Sequence, residues 1–310
     1  MSTGMRPLKN LCEVAVIGGG LAGLAAACHA ARLGRLVTLF EGTGMFGGLV
    51  ATIDHVDGLP TPGKFSGQDL AIHMLEEARK TGVQIIETAI TQLALGDRLT
   101  LIDQENKTHH PDSVIIASGS ALRKLGVPNE AEFAGRGVSR CATCDGGFFR
   151  NQDVVVVGGG DAALQEALVL AKTSRRVIMV CRSKLKAKRD YIEKIAAREN
   201  VSFIWDSEVS AILGEDGVTG VRLHNVKDGA STDIDCAGLF PFIGSMPNSE
   251  FVPAALLSPT GQIKTGPDFA TADPRVFAVG AVRAGYGGNV VQAMAEGVGA
   301  AAAAARVLGN

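Results

Sequence analysis

The stretch EVAVIGGGLAGLAAACHAARLGRLVTLFE, residues 13–41, decides the fold. EVAVIGGG is a short apolar run closed by glycines, the pattern of a buried strand. LAGLAAACHAARLG is rich in Ala and Leu, with Gly34 as a helix stop. RLVTLFE is a second strand. Strand, turn, helix and strand make a βαβ unit, right-handed by default. The pattern returns about 140 residues later as DVVVVGGG, DAALQEALVLAKTS and RRVIMVCR, residues 153–182. Two such units in one chain are far more specific than one. The tail GVGAAAAAARVLG reads as a helix, because Ala is the best helix former.

Between and after these units lie further strands. DSVIIASGS (112–120) and RVFAVGAV (275–282) are buried runs, and residues 201–226 alternate strands around a turn at Gly217. Pro111, Pro128 and GSMPNSE (244–250) mark crossings between domains.

The bulk numbers set bounds. The length of 310 residues suggests about two domains. A net charge of −2 gives no global basic field for nucleic acid or anionic membrane. The opening MSTGMRPLKN has no apolar core and does not read as a signal peptide, so a cytoplasmic setting is the default. The apolar run at residues 14–34 is broken by glycines, His29 and Arg32, which argues against a membrane span.

Gly18, Gly20 and Gly23 form G-x-G-x-x-G at the end of the first strand. The first glycine permits a tight turn, the second lets backbone approach a pyrophosphate, and the third lets the helix pack close. The phosphates then sit at the positive end of the helix. Glu41 ends the second strand, where a carboxylate accepts hydrogen bonds from an adenosine ribose. The alternative is a glycine turn in a core, which explains neither the acid nor its position.

Gly158, Gly160 and Ala163 repeat the motif. Here the second strand ends at Cys181 and Arg182, followed by Lys184 and Lys186. A basic cluster suits a 2′-phosphate that a carboxylate would repel. The site therefore favours NADPH, with NADH open and a merely solvated basic face as the competing reading. Two sites of different charge preference imply two nucleotides, most economically FAD in the first and NADPH in the second.

SRCATCDGG, residues 139–147, sets Cys141 and Cys144 three apart, just ahead of the second unit. Structural zinc needs four ligands, and Cys12, Cys28, Cys181 and Cys236 are isolated. No metal site is expected. An inert thiol pair and a redox couple both stay open, and the couple is favoured. Side chains three apart on a helical turn are near enough for a disulfide, and C-x-x-C lowers thiol pKa. Asp145 could carry protons or cap a helix.

Over nearly its full length the chain resembles the low-molecular-weight thioredoxin reductase family. The carrying stretches are GGGLAG at 18–23, Glu41, Gly47-Gly48, ASGS at 117–120, RKLGVP at 123–128, CATCDG at 141–146, GGGDAA at 158–163 and FIGSMPN at 242–248. The resemblance implies an α/β protein of two Rossmann-like, three-layer nucleotide-binding domains. FAD takes residues 1–119 and 245–310, and NADPH takes an inserted domain, 120–244. It implies a flavin site drawn from Gly18, Gly20, Leu21, Ala22, Gly23, Glu41, Gly42, Gly48, Leu49, Ala117, Ser118, Gly119, Gly280, Ala281, Asn289 and Val290. The NADPH site draws on Gly158, Gly160, Asp161, Ala162, Ala163, Arg182, Lys184, Lys186 and Ile243. It implies Cys144 next to the flavin, Cys141 attacking the substrate disulfide, and Asp145 as acid and base. Thioredoxin, a lipoylated protein or a small disulfide is the implied partner, and a homodimer the implied assembly. Competing functions are a dithiol oxidase using oxygen and an electron carrier for an iron–sulfur partner.

The chain departs from the family at several points. Leu49-Val50 replaces Gln-Leu, Gly58 replaces an Asn, and Ala281 replaces the Asp expected at the flavin's ribityl chain. Gly288-Asn289 stands for Arg-Gln, and Cys181-Arg182-Ser183 for the His-Arg-Arg phosphate clamp. Arg140 and Gly147 replace aromatics beside the cysteines.

Overall fold

The structure, a computed structural model, describes residues 12–53, 56, 59 and 65–309. Along the chain come β1 (Val14–Ile17), α1 (Leu21–Arg32), β2 (Val37–Phe40), α2 (Gly67–Lys80) and β3 (Gln84–Ile86). There follow β4 (Ile90–Ala94), β5 (Thr100–Asp103), β6 (Thr108–His109), β7 (Ser113–Ile116) and β8 (Ser120–Leu122). Next are α3 (Ala142–Asp145), β9 (Asp153–Val157), α4 (Asp161–Leu170), β10 (Arg176–Cys181), α5 (Arg189–Ala196) and β11 (Val201–Trp205). The chain closes with β12 (Ser207–Leu213), β13 (Gly220–Asn225), β14 (Ser231–Asp235), β15 (Gly238–Pro241), β16 (Ser245–Pro247), β17 (Val276–Ala278) and α6 (Val290–Val307).

The chain divides into two compact units, Met1–Ala121 with Met246–Asn310, and Leu122–Ser245. In the first, a parallel sheet runs β17-β7-β1-β2-β3. All four residues of β1 and of β2 are buried, as strands covered on both faces must be. One face carries α1 and α6, which pack through small side chains. A Cβ on Gly297 of α6 would strike the Ala22 carbonyl of α1, so the two helices cross at backbone distance. The other face is covered by the antiparallel β4-β5-β6 sheet with Val252, Leu256 and Ile263.

The second unit repeats the plan. Its parallel sheet runs β11-β10-β9-β15. α4 and α5 cover one face, and the antiparallel β12-β13-β14 sheet covers the other. Both units are thus the three-layer nucleotide-binding architecture that the sequence predicts. The second helix ends at Leu170, four residues short of the expected Ser174. The tail helix begins earlier than the Ala run, at Val290, because Asn289 caps it by accepting the Gln292 N–H at 2.8 Å. Among the described residues no helix is long and apolar enough to cross a membrane.

One buried polar knot holds the β5–β6 hairpin. Asp103 is 3% exposed and accepts hydrogen bonds from the amides of Glu105 and Lys107 and from His109 Nε2 at 2.9 Å. The His109 contact, helped by these amides, holds its carboxyl below the usual range. A carboxylate with a depressed folded pKa stabilises the fold above its unfolded pKa of about 4 and loses that contribution as pH falls through the folded value. Urea titrations should therefore find Asp103→Asn less stable by about 1–3 kcal/mol at pH 7. The gap should narrow toward pH 3.

Candidate active site

The first glycine loop joins β1 to α1. Gly18 has φ +105°, and a Cβ there would meet the carbonyl of Ala117, the residue after β7. A Cβ on Gly23 would meet the Gly18 carbonyl. A Cβ on Gly20 would meet nothing within 4 Å, so this is the open side of the turn. Gly20 is also the N-cap of α1 and no side chain caps the helix. The amides of Leu21 and Ala22 thus stand at an uncapped positive helix end, the environment a pyrophosphate requires.

Glu41 closes the loop from β2. It is buried, and its Oε2 accepts the Gly19 N–H at 2.6 Å. Its Oε1 accepts from the Thr43 amide at 2.7 Å and hydroxyl at 2.6 Å. The carboxylate therefore holds the glycine loop to the second strand. Gly42 beside it is packed so closely on Ala89 that a Cβ would fall 2.6 Å from the Ala89 methyl. Gly47 and Gly48 follow at positive φ, Gly47 bridged to Gly20, and Leu49 is exposed. Gly58 lies outside the described residues.

Two other segments of this unit complete the rim. After the buried Ala117, Ser118 donates to the Asn248 carbonyl at 2.7 Å, and Asn248 Nδ2 donates back at 2.8 Å. Gly119 turns the chain at φ +70°. At Gly280 (φ +70°) the backbone N–H donates 2.8 Å to Glu296 Oε2 on α6. Ala281 follows, so the turn carries no carboxylate of its own. Asn289 and Val290 open α6.

Glu296 itself is 3% exposed and also takes bonds from Arg283 and from Gln292 Nε2 at 2.8 Å. Burial works to raise its carboxyl, but the Arg283, Gly280 and Gln292 bonds hold it below the usual range. The cradle of open glycine, uncapped helix and buried acid fits a flavin dinucleotide, with a neutral Ala281 in place of the expected Asp.

The second loop, at the end of β9, has the same construction. Gly158 has φ +135°, and a Cβ there would strike the Phe242 carbonyl. Gly160 is open, and α4 has no side-chain cap. Ala163 is fully buried beneath Gly158, while Ala162 is exposed. Asp161 is tied to the next helix: its Oδ1 accepts the Lys188 N–H at 2.7 Å, and Lys188 Nζ lies 3.5 Å from Oδ2. Arg182, Lys184 and Lys186 are all exposed. Below them Cys181 is buried and donates to the Gly158 carbonyl at 3.2 Å. Burial pushes its thiol up to about 11, so it stays neutral and braces the loop. Ile243, two residues past the end of β15, is exposed.

The cysteine turn belongs to the same unit. Cys141 and Cys144 form a disulfide with their Cα atoms 5.3 Å apart, across the single turn of α3. The Cys144 N–H donates 3.0 Å to Cys141 Sγ. The Ala142 N–H donates 2.6 Å to Glu166 Oε2 on α4. Asp145 ends the turn, its N–H bonded to the Cys141 carbonyl at 3.1 Å. Beyond it Phe149 is buried edge-on against Phe240, while Phe148 is 78% exposed. Arg140 turns inward to Glu130 at 3.4 Å.

Sequence reasoning misses Glu166, Glu296 and Asn248. Glu166 and Glu296 are acids in largely apolar helices, and only the fold shows what they touch.

The description "Pyridine nucleotide-disulphide oxidoreductase" matches residues 12–297. A thioredoxin reductase of Treponema pallidum is 39% identical over 297 residues, spanning 94% of this chain and 96% of the relative. One of Streptomyces coelicolor is 37% identical over 280 residues, 89% of this chain and 87% of the relative. In three dimensions the chain is similar to Lactococcus lactis thioredoxin reductase in its FR conformation. The TM-score is 0.90 at 35% identity, covering 94% and 97% of the two chains. The thioredoxin reductase of T. acidophilum gives a TM-score of 0.87 at 28% identity, with the same coverage of 94% and 97%. Two uncapped nucleotide cradles, a disulfide beside the second, and these likenesses agree: the chain belongs to the pyridine nucleotide-disulphide oxidoreductase family, in its low-molecular-weight thioredoxin reductase branch.

Proposed function

We propose that this enzyme passes electrons from NADPH through FAD to the Cys141–Cys144 disulfide, and from the resulting dithiol to thioredoxin. The observation that carries the reading is a formed disulfide on a turn built into the NADPH unit. Bound FAD supplies the two-electron step between nicotinamide and disulfide. Everything else is done by the chain.

The glycine loops hold pyrophosphates on the amide ends of α1 and α4. Glu41 takes the flavin-side ribose, and Arg182, Lys184 and Lys186 take the 2′-phosphate. None of these three cations is paired to an acid among the described residues, which supports the NADPH reading over the remnant site that an oxygen-using oxidase would need.

The dithiol works by exchange. Cys141 thiolate attacks one sulfur of the substrate disulfide and forms a mixed disulfide, releasing the other substrate sulfur. Cys144 then attacks Cys141, which re-forms the pair and frees the second substrate sulfur. Asp145 supplies the proton that a departing thiolate needs. The Cys144 N–H that reaches Cys141 Sγ is placed to steady negative charge on Cys141. Phe148, exposed three residues after Asp145, is the docking aromatic for thioredoxin, a role that Gly147 cannot fill. The resemblance further implies a homodimer in a cytoplasmic setting, and light scattering tests the first.

Two outcomes check these assignments. Replacing Arg182, Lys184 and Lys186 by Ala should raise KM for NADPH about tenfold to hundredfold, since this exposed cluster should contribute about 1.5–3 kcal/mol in all, the range of one charge-assisted bond. KM for NADH should hardly move, and equal losses for both nucleotides would contradict the 2′-phosphate role. Phe148→Ala should raise KM for thioredoxin about tenfold or more, the usual range for a central interface aromatic. Reduction of a small aromatic disulfide by the same variant should be unchanged. If both substrates fail together, Phe148 supports the turn rather than the partner.

A further inference from the structure

Glu166 has no part in the exchange just described, yet it touches the redox turn directly. It sits in the middle of α4, half-buried, while Ala163, Ala167 and Leu170 of the same helix belong to the core. Its Oε2 receives the Ala142 N–H at 2.6 Å, a short bond to the residue between the two cysteines that follows Cys141. The disulfide therefore opens and closes within a turn anchored on a carboxylate.

The charges around Glu166 do not offset it. α3 brings only Asp145, an acid. α5 brings Arg189 with Glu193 and Lys194 with Asp190, each pair bonded at 2.7 Å. β9 and β10 bring Asp153 and Arg176, paired at 2.8 Å, with Arg175 on the same aspartate. Ahead of the turn, Arg140 is directed to Glu130. Burial pushes the Glu166 carboxyl up, the Ala142 amide opposes it, and no cation contributes.

We infer that Glu166 is a positioning residue that sets the reduction potential of the Cys141–Cys144 pair through its negative charge, held one hydrogen bond from the redox turn at the Ala142 amide. The inference rests on the disulfide-exchange reading above. Reduction adds one electron pair, breaks the S–S bond and takes up one proton, leaving one thiol and one thiolate. The electron pair comes from NADPH in the reaction and from dithiothreitol in the test. A carboxylate anchored on the residue that follows Cys141 opposes this step, as any like charge does at short range. The disulfide is thereby kept the more stable form, and the dithiol becomes the stronger reductant toward a substrate.

The test separates charge from shape. Glu166→Gln keeps the reach to the Ala142 amide and loses the charge. Glu166→Asp keeps the charge and loses the reach. FAD-loaded wild-type and variant proteins are equilibrated without oxygen in dithiothreitol buffers, and the Cys141–Cys144 state is read by alkylation and mass spectrometry. At pH 8 Glu166→Gln should shift the equilibrium toward dithiol about threefold to tenfold, where tenfold is about 30 mV for a two-electron couple. At pH 5.5, below a C-x-x-C thiol pKa of about 7, the shift should close, because the product is then a neutral dithiol. Glu166→Asp should stay near the wild type at both values, and it serves alone if the Gln variant does not fold. A Gln variant that matches the wild type at pH 8, a shift of equal size at both pH values, or a displaced Asp variant would overturn the inference. A wild-type pair that dithiothreitol cannot reduce would instead overturn the redox reading itself.

Discussion

The close approach of backbone to backbone at the two glycine turns is the constraint on which the rest depends. At Gly18 and at Gly158 the space a Cβ would need is held by a carbonyl of a neighbouring segment, Ala117 in one unit and Phe242 in the other. Each turn sits at positive φ, which glycine adopts at no steric cost. That contact lets the following helix start directly above its strand, uncapped, with its first amides facing outward. A side chain at either position would push the helix off the sheet and close the cradle. The helix pairing of α1 with α6 in the first unit, and the placement of α3 beside α4 in the second, both build on those starts.

The acids found around these turns do structural and chemical work together. Glu41 secures the first glycine loop by accepting the Gly19 N–H, and Glu296 secures the Gly280 turn by accepting its N–H while paired with Arg283. The missing Asp at position 281 leaves a flavin turn fixed from behind by Glu296 rather than lined by its own carboxylate. That turn therefore rests on a buried ion pair, and breaking one partner of such a pair costs far more than its net contribution to stability.

Much of the architecture was legible in the residues. Four-residue apolar runs ending in glycine gave β1 and β9, the small-residue runs gave α1 and α4, and the C-x-x-C spacing gave the disulfide. Other features were not, for stated physical reasons. The start of α6 depends on the Asn289 cap, a local bond that the Ala-rich pattern does not encode. Asp161 reads as a phosphate-loop residue, but the fold commits it to Lys188 on the next helix. Glu166 lies in a periodic helix and looks like a surface acid, because the chain folding α3 over it comes more than twenty residues earlier. Long-range contacts of this kind leave no trace in local composition.

The central claim is an electron relay from nicotinamide through flavin to the cysteine pair. An anaerobic titration of the FAD-loaded protein with NADPH, followed at the flavin absorption, tests it most directly. The wild type should take up two electron pairs, one for the flavin and one for the disulfide, and a variant with Cys141 and Cys144 both changed to Ser should take up one. A wild type that saturates at one pair, or a flavin that NADPH leaves unbleached, would contradict the account.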